Sequence, residues 1–212
     1  MLTRHSSEPR NPGRLITVEG PPGAGKTTAL HVLAEWGHSV IGEYTTPSGS
    51  TIPIAGHPAV DDDAAHQRNW LIKNEQASRA RGHQRVVWLD RDWISSLAYA
   101  FSLDDRQLLA ARAKWAFECL AAGDLTIADT YVVLHVDPAV SLARRASRLN
   151  AEHIWSTPAG LLGLHGFYTD PIRAIARVHR QLAVRVATAN WEHLQHPTIA
   201  EAVDALEREA LV

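Results

Sequence analysis

The sequence predicts an α/β fold, a five-stranded parallel sheet wrapped by helices on both faces, in a single domain over residues 15–212. Three observations predict it. An apolar run at 15–19 passes through a glycine-rich loop directly into a helical pattern. Apolar runs and amphipathic stretches then alternate along the chain. The run VVWL at 86–89 lacks the alternation of a half-exposed strand, as expected of a parallel strand covered on both sides.

The elements follow in order. The strand at 15–19 leads into GPPGAGKTT and a helix whose Ala29, Leu33 and Trp36 share one face. A second strand covers 38–43, and YTTPSGSTIPIAGHP after it has the proline, glycine and serine content of an irregular loop. Asp61, Asp62 and Asp63 open a helix running to about Arg81, their charge suiting the positive end of the helix dipole. The third strand closes at Asp90. Beyond it, Ile94, Leu97, Ala98 and Phe101 share one helical face, while Asp92, Ser95, Ser96 and Tyr99 share the opposite one. The first face is core; the second starts beside Asp90 and Arg91 and is free to look into a site.

A helix over 104–121 precedes a fourth strand at 131–136, and Pro138 sits at the first turn of the helix that follows. Residues 150–166 read as irregular, and a later helix carries the stripe Ile175, Val178, Leu182. A short fifth strand covers 191–194. The closing helix begins with the capping-box spacing of Thr198 and Glu201, then places Ile199, Val203 and Leu206 on one face. Residues 1–14 are polar and read as a mobile leader.

Composition narrows the partners. A net charge of −2 and a pI near 6.6 argue against a broad footprint for a nucleic-acid polymer or an anionic membrane, and no apolar stretch approaches a membrane span. Any bound anion must be held by a local site. The cations are 18 Arg and only 3 Lys, so a lysine inside a glycine loop is a pointed use of a scarce residue. Cys119 stands alone, which excludes an internal disulfide and fits a reducing, cytoplasmic setting.

The strongest chemical signal is the phosphate loop. Gly20, Gly25, Lys26 and Thr27 complete the pattern G-x-x-x-x-G-K-[ST] directly after a strand and at the opening of a helix. Such a loop, here Gly20, Pro21, Pro22, Gly23, Ala24 and Gly25 continuing into Thr27 and Thr28, turns backbone N–H groups toward phosphate oxygens, and the helix N-terminus adds its own. Lys26 would reach the β- and γ-phosphates of ATP and the Thr27 hydroxyl would ligate Mg²⁺. No N-K-x-D tetrad reads guanine and no L-S-G-G-Q segment marks a transporter, which favours a small kinase.

DRDWISSLAYA, residues 90–100, resembles the D-R-[YH]-x-x-S-x-x-A-Y segment of thymidylate kinases and, more loosely, the acidic-Arg-Ser segment of deoxynucleoside kinases. EGPPGAGKTT and HVDPAVSLARRASR look like the phosphate loop and the Pro-started, Arg-rich lid of the same group, so the resemblance runs from about 15 to 205. It implies a three-layer P-loop kinase fold with a short lid at about 144–165. Asp90 would help hold Mg²⁺ through water and Arg91 would contact the phosphoryl group in transfer. Arg144, Arg145 and Arg148 lie within about one turn with no acid between them; they are either cations closing over ATP or solvated helix arginines. The resemblance also implies a homodimer.

The acceptor side is read from the same resemblance. Glu43 ends the second strand where deoxynucleoside kinases carry the glutamate that takes the proton from a sugar hydroxyl, and a strand-end carboxylate beside phosphates suits a general base. Thymidylate kinases read Arg-Glu-Pro here and place an acid in the phosphate loop where this chain has Pro22, so thymidylate specificity is not expected. Arg68 and, in competition with it, Arg79 are candidates to meet an acceptor phosphate; Trp70, Trp93, Tyr44 and Tyr99 are candidates to stack on a flat acceptor. The expected function is ATP- and Mg²⁺-dependent phosphorylation of a nucleoside, nucleoside monophosphate or similar sugar-bearing metabolite. Two rivals stand beside it: a kinase of an antibiotic or biosynthetic intermediate, and an ATP-binding regulatory module without an acceptor.

Overall fold

The structure, a computed structural model, describes residues 12–59, 61–148 and 154–211; most of the expected leader lies outside the described residues, as does the side chain of Arg148. Strands β1 (Arg14–Glu19), β2 (Ser39–Ile41), β3 (Val86–Asp90), β4 (Thr130–His135) and β5 (Asn190–Gln195) form one sheet in the order β2-β3-β1-β4-β5. All four pairings are parallel. The helices are α1 (Lys26–Glu35), α2 (Asp63–Arg81), α3 (Ile94–Ser102), α4 (Arg106–Ala122), α5 (Pro138–Arg145), α6 (Pro158–Thr169), α7 (Pro171–Ala176), α8 (Arg180–Val186) and α9 (Ile199–Leu211). No described helix is long and apolar enough to cross a membrane.

Strand alternation builds three layers. Ile16, Val18, Trp88, Val132 and Leu134 face one side and pack with Leu30 and Leu33 of α1 and Val203 and Leu206 of α9. Leu15, Val87, Leu89, Tyr131 and Val133 face the other, against Leu97, Phe167, Ile175 and Leu182 from the larger helical layer. By the same period of two, Thr17 and Glu19 share the side of Leu15. Both are fully buried, and Glu19 meets the helices where β1 leaves the sheet.

Five elements differ from the sequence reading. β2 stops at Ile41, so Glu43 lies two residues beyond the strand rather than ending it. α2 starts at Asp63 because Asp62 is its N-cap, accepting from Ala65 N at 3.0 Å, so only Asp62 of the acidic triplet caps. Trp36 is the C-cap of α1 and stands 54% exposed, off the core face that Ala29 and Leu33 share. The stretch 150–166 is not irregular throughout: Thr157 caps α6 and Pro158 opens it, and Leu161, Leu164, Phe167 and Tyr168 bury one face. The part of the expected lid from 158 onward is thus a core helix. The Ile175–Leu182 stripe is split between α7 and α8, because His179 takes an extended backbone and caps α8 through a 3.1 Å bond from Leu182 N. The capping box of α9 forms as spaced: Glu201 N donates to Thr198 Oγ1 at 3.2 Å and Thr198 N to Glu201 Oε2 at 2.8 Å.

Candidate active site

The loop from Gly20 to Gly25 joins β1 to α1 at the carboxyl end of the sheet, where open α/β folds collect ligands. Gly20 adopts φ 131, and a Cβ there would stand 2.2 Å from Leu134 O, so only glycine fits. Gly25, at φ 95, precedes α1 with no side-chain cap, which leaves the first helical N–H groups open toward the loop. Lys26 is buried and its Nζ donates to Gly20 O at 3.0 Å and Pro21 O at 2.8 Å. Burial, with the Arg91 charge adding to it, pushes the Lys26 pKa down to about 7. From α5, Ser141 donates to Pro22 O at 2.6 Å and Arg144 to Gly23 O at 3.1 Å.

The end of β3 meets this loop. Thr27 Oγ1 donates to Asp90 Oδ2 at 2.6 Å, while Asp90 Oδ1 is buried with no hydrogen-bond partner among the described residues. Arg91 takes φ 63, a left-handed conformation rare outside glycine. Its guanidinium is buried between two carboxylates: Nε stands 3.1 Å from Glu43 Oε1 and NH1 3.5 Å from Glu19 Oε2. Ser95 Oγ and Tyr168 OH lie 3.1 and 3.4 Å from the same NH1. Glu19 in turn accepts from Asp92 N at 3.0 Å, Ser95 Oγ at 2.8 Å and Tyr168 OH at 2.7 Å, which fixes the carboxylate and through it Arg91.

The Glu43 carboxylate is 30% exposed against 6% for Arg91, so it is the partner a solute can reach. Burial alone would raise its pKa; the charges of Arg91, Lys26, His57 and Lys73 outweigh that and hold it below the usual range. Asp92 is the opposite case: burial and the nearby Glu19 push it up to about 7.

A solvent-open cleft is lined by Glu43 and Arg91 themselves. Tyr44, Trp70, Tyr99 and Trp155 line it with aromatic faces, and Ser95, Ser96 and His66 add polar groups. Arg112 of α4 also lines it, bound to both oxygens of Asp63 and to Ser96 O at 2.8 Å, with its guanidinium 5.2 Å from the Tyr99 ring centre.

Residues 15–155 match a protein family described as an AAA domain. The chain belongs to the AAA domain family. Among solved structures, deoxyadenosine kinase from M. mycoides with bound dATP is similar with a TM-score of 0.58 at 12% identity, over 93% of this chain and 100% of that one. The same kinase with products dCMP and a flexible dCDP bound gives 0.55 at 12% identity, over 92% and 97%. At that identity the likeness is one of fold: the AAA domain, with the elements after it, has the three-layer architecture of a deoxynucleoside kinase.

Within this AAA domain the expected residues divide. Lys26, Thr27, Asp90, Arg91 and Glu43 converge, and Tyr44, Trp70 and Tyr99 line the adjoining cleft. Arg68 and Arg79 do not join them: Arg68 is exposed on α2 outside the cleft, and Arg79 pairs with Glu75 at 3.0 Å on the surface. Trp93 is core, its Nε1 donating to Thr126 O at 3.2 Å. Arg144 touches the phosphate loop, whereas Arg145 donates to Trp155 O at 2.9 Å and so braces the cleft wall.

Sequence reasoning missed Glu19, Lys73, Arg112, His66, Trp155 and Tyr168. Two carried a signal. Glu19 is an acid ending an apolar strand just before the loop, and Lys73 is one of three lysines, on the same α2 face as Trp70 and Ala77. Arg112 and Tyr168 belong to helices whose docking no local pattern gives.

Proposed function

We propose that this AAA domain protein is an ATP-dependent kinase that phosphorylates a hydroxyl group of a small, flat acceptor that itself carries no phosphate, a nucleoside or a similar sugar-bearing metabolite. The carrying observation is the junction of a phosphate loop and an aromatic cleft at the Glu43–Arg91 pair. A regulatory module without an acceptor has no use for that cleft. The kinase architecture shared with deoxyadenosine kinase supports the same reading as fold analogy.

In this reading the backbone N–H groups of the loop and α1 hold the triphosphate, and Lys26 Nζ exchanges the carbonyls of Gly20 and Pro21 for phosphate oxygens. Thr27 and Asp90 would hold Mg²⁺. Their donor set fits: a hydroxyl and a carboxylate are the hard oxygen ligands it takes, and buried Asp90 Oδ1 lacks a partner among the described residues. Bound there, Mg²⁺ supplies charge neutralisation on the phosphate oxygens. Glu43 accepts the hydroxyl proton as the new acceptor O–P bond forms and the bond between the γ-phosphorus and the ADP oxygen breaks. Arg91, opposite Lys26, stabilises charge on the group in transfer.

The pairing and placement of the described arginines support an acceptor without phosphate. Arg112, the cleft-wall guanidinium not assigned to the group in transfer, already faces Asp63. Arg68 and Arg79, the arginines expected to meet an acceptor phosphate, lie elsewhere. The lone Cys119 and the use of ATP fit a cytoplasmic setting.

The test is ADP release from ATP and Mg²⁺ with a panel of nucleosides, their 5′-monophosphates and aminoglycoside-like hydroxyl compounds. Stimulation by nucleosides above their monophosphates supports the reading, preference for monophosphates removes its phosphate-free part, and preference for the antibiotic-like compounds moves the acceptor class. No stimulation by any of them refutes acceptor phosphorylation.

A further inference from the structure

Helix α2 turns a polar stripe toward the sheet. Asn69 and Lys73, one turn apart, are both buried beside Trp70 and Ala77. Lys73 Nζ has three N–H donors, and each meets a backbone carbonyl: Asp90 O at 2.7 Å, Arg91 O at 2.8 Å and Glu43 O at 3.3 Å. Asn69 Nδ2 donates to the same Glu43 O at 3.0 Å and its Oδ1 accepts from Thr45 N at 3.1 Å.

These bonds act where the sheet stops. The β2–β3 ladder ends at Ile41 opposite Leu89, two residues short of Glu43 and two short of Arg91. Beyond it, among the described residues, side chains join the strand ends: the Arg91–Glu43 ion pair, and the Lys73 ammonium that spans both backbones. Arg91 also sits at φ 63, a conformation that must be held by its surroundings, and Lys73 grips the carbonyl on each side of its φ and ψ bonds.

We propose that Lys73 is a positioning residue for phosphoryl transfer: by bonding the backbones of Glu43, Asp90 and Arg91 together it sets the distance between the base on the β2 end and the phosphoryl-facing groups on the β3 end. The proposal rests on the kinase reading above. An ammonium kept in the interior is expensive to bury, and burial pushes the Lys73 pKa down to about 8. Packing alone would be better served by an apolar side chain of the same length. Besides the Trp70 ring 5.3 Å away, the ammonium meets the backbone oxygens of Glu43, Asp90 and Arg91, all at the proposed reacting groups, which ties the cost to chemistry.

The experiment compares Lys73→Met, Glu43→Gln and the double variant, with folding followed by thermal melting and ATP binding by titration. For folded Lys73→Met we expect kcat to fall at least about 30-fold, as misplacement by an ångström does, with KM for ATP within about threefold of wild type. In the Glu43→Gln background the same change should cost less than about threefold more, since the base it positions is gone. A kcat within threefold of wild type, or losses that multiply in the double variant, overturns the proposal. Should Lys73→Met fail to fold, Asn69→Ala removes one of the two grips on Glu43 O: a kcat loss of at least about fivefold with unchanged ATP KM supports the role, and no loss overturns it. Wild type without acceptor-stimulated turnover sinks the kinase reading, and this proposal with it; an active wild type with unaffected variants sinks only the positioning role.

Discussion

Arg91 Nε lies 3.1 Å from Glu43 Oε1, and through that contact a residue at the end of β3 holds the carboxylate beyond the end of β2 in its ionised form. The pair stands between the phosphate loop and the aromatic cleft, where an acceptor hydroxyl would meet a γ-phosphoryl group. Removing the proposed base while keeping its shape isolates its role. Glu43→Gln should lower kcat by about 10²–10³-fold with little change in KM for ATP, read by coupled ADP release. A loss in ATP affinity of the same size with kcat preserved would assign Glu43 to the phosphate side instead.

Lys26 gives a proton-linked signature. Its pKa is pushed down to about 7 from the ordinary 10.5 by burial and Arg91, so at pH 8 the free protein holds it largely neutral. Bound triphosphate favours the ammonium and raises the pKa again. ATP binding at pH 8 should therefore take up a proton, whereas at pH 6 the site is already charged and the uptake should shrink. Calorimetry in buffers of different ionisation enthalpy measures this directly. Lys26→Arg, which stays charged, should abolish the uptake; uptake persisting in that variant would place the proton on another group.

Asp92 sets a stability trend. Its pKa is raised to about 7 from 3.8 by burial and by Glu19, so between those values the folded protein keeps a proton that the unfolded chain has lost. Its contribution is therefore present at low pH and is lost as pH rises through about 7. Asp92→Asn does not titrate and keeps the oxygen that accepts from Ile94 N at 2.8 Å. The variant should melt at least about 2 °C above wild type at pH 8 and converge with it near pH 4. A constant difference across that range would mean that the carboxyl is ionised throughout.

Tyr99 tests the cleft. Its ring packs edge-on to Trp155 at 5.6 Å and under the Arg112 guanidinium at 5.2 Å. Tyr99→Ala should raise KM for the acceptor about tenfold, a loss in the range of one aromatic contact, and leave KM for ATP alone. Parallel rises in both constants would show that the ring supports the fold rather than the acceptor.

The sequence made the phosphate loop and the sheet legible because both are local. Gly20 through Thr27 must follow one another for the loop to form, and the period of two that hides Ile16 and Val18 on one face is written in six adjacent residues. Asp90 and Arg91 were legible as strand-end polar residues after an apolar run. What stayed hidden depends on docking. Arg112 reaches the cleft only because α4 packs on α3, where its guanidinium meets Ser96 O and Asp63, and Tyr168 meets Glu19 across 149 residues of chain. Arg68 looked suitable by position along α2, but helical phase turns Asn69, Trp70 and Lys73 inward and leaves Arg68 outside. The core helix α6 was obscured by three glycines, Gly160, Gly163 and Gly166, which read as loop; Gly163 is needed because a Cβ there would stand 2.7 Å from Ser102 Cα of α3.

The fate of the γ-phosphoryl group decides between a kinase and a nucleotide-hydrolysing AAA domain. Incubating the protein with γ-labelled ATP, Mg²⁺ and a nucleoside, then separating nucleoside monophosphate from inorganic phosphate, follows that group. A kinase leaves label in the nucleoside product, in amounts that rise with nucleoside and fall by about 10²–10³-fold in Glu43→Gln. Label found only in inorganic phosphate, at a rate indifferent to nucleoside and to Glu43, would contradict the kinase reading.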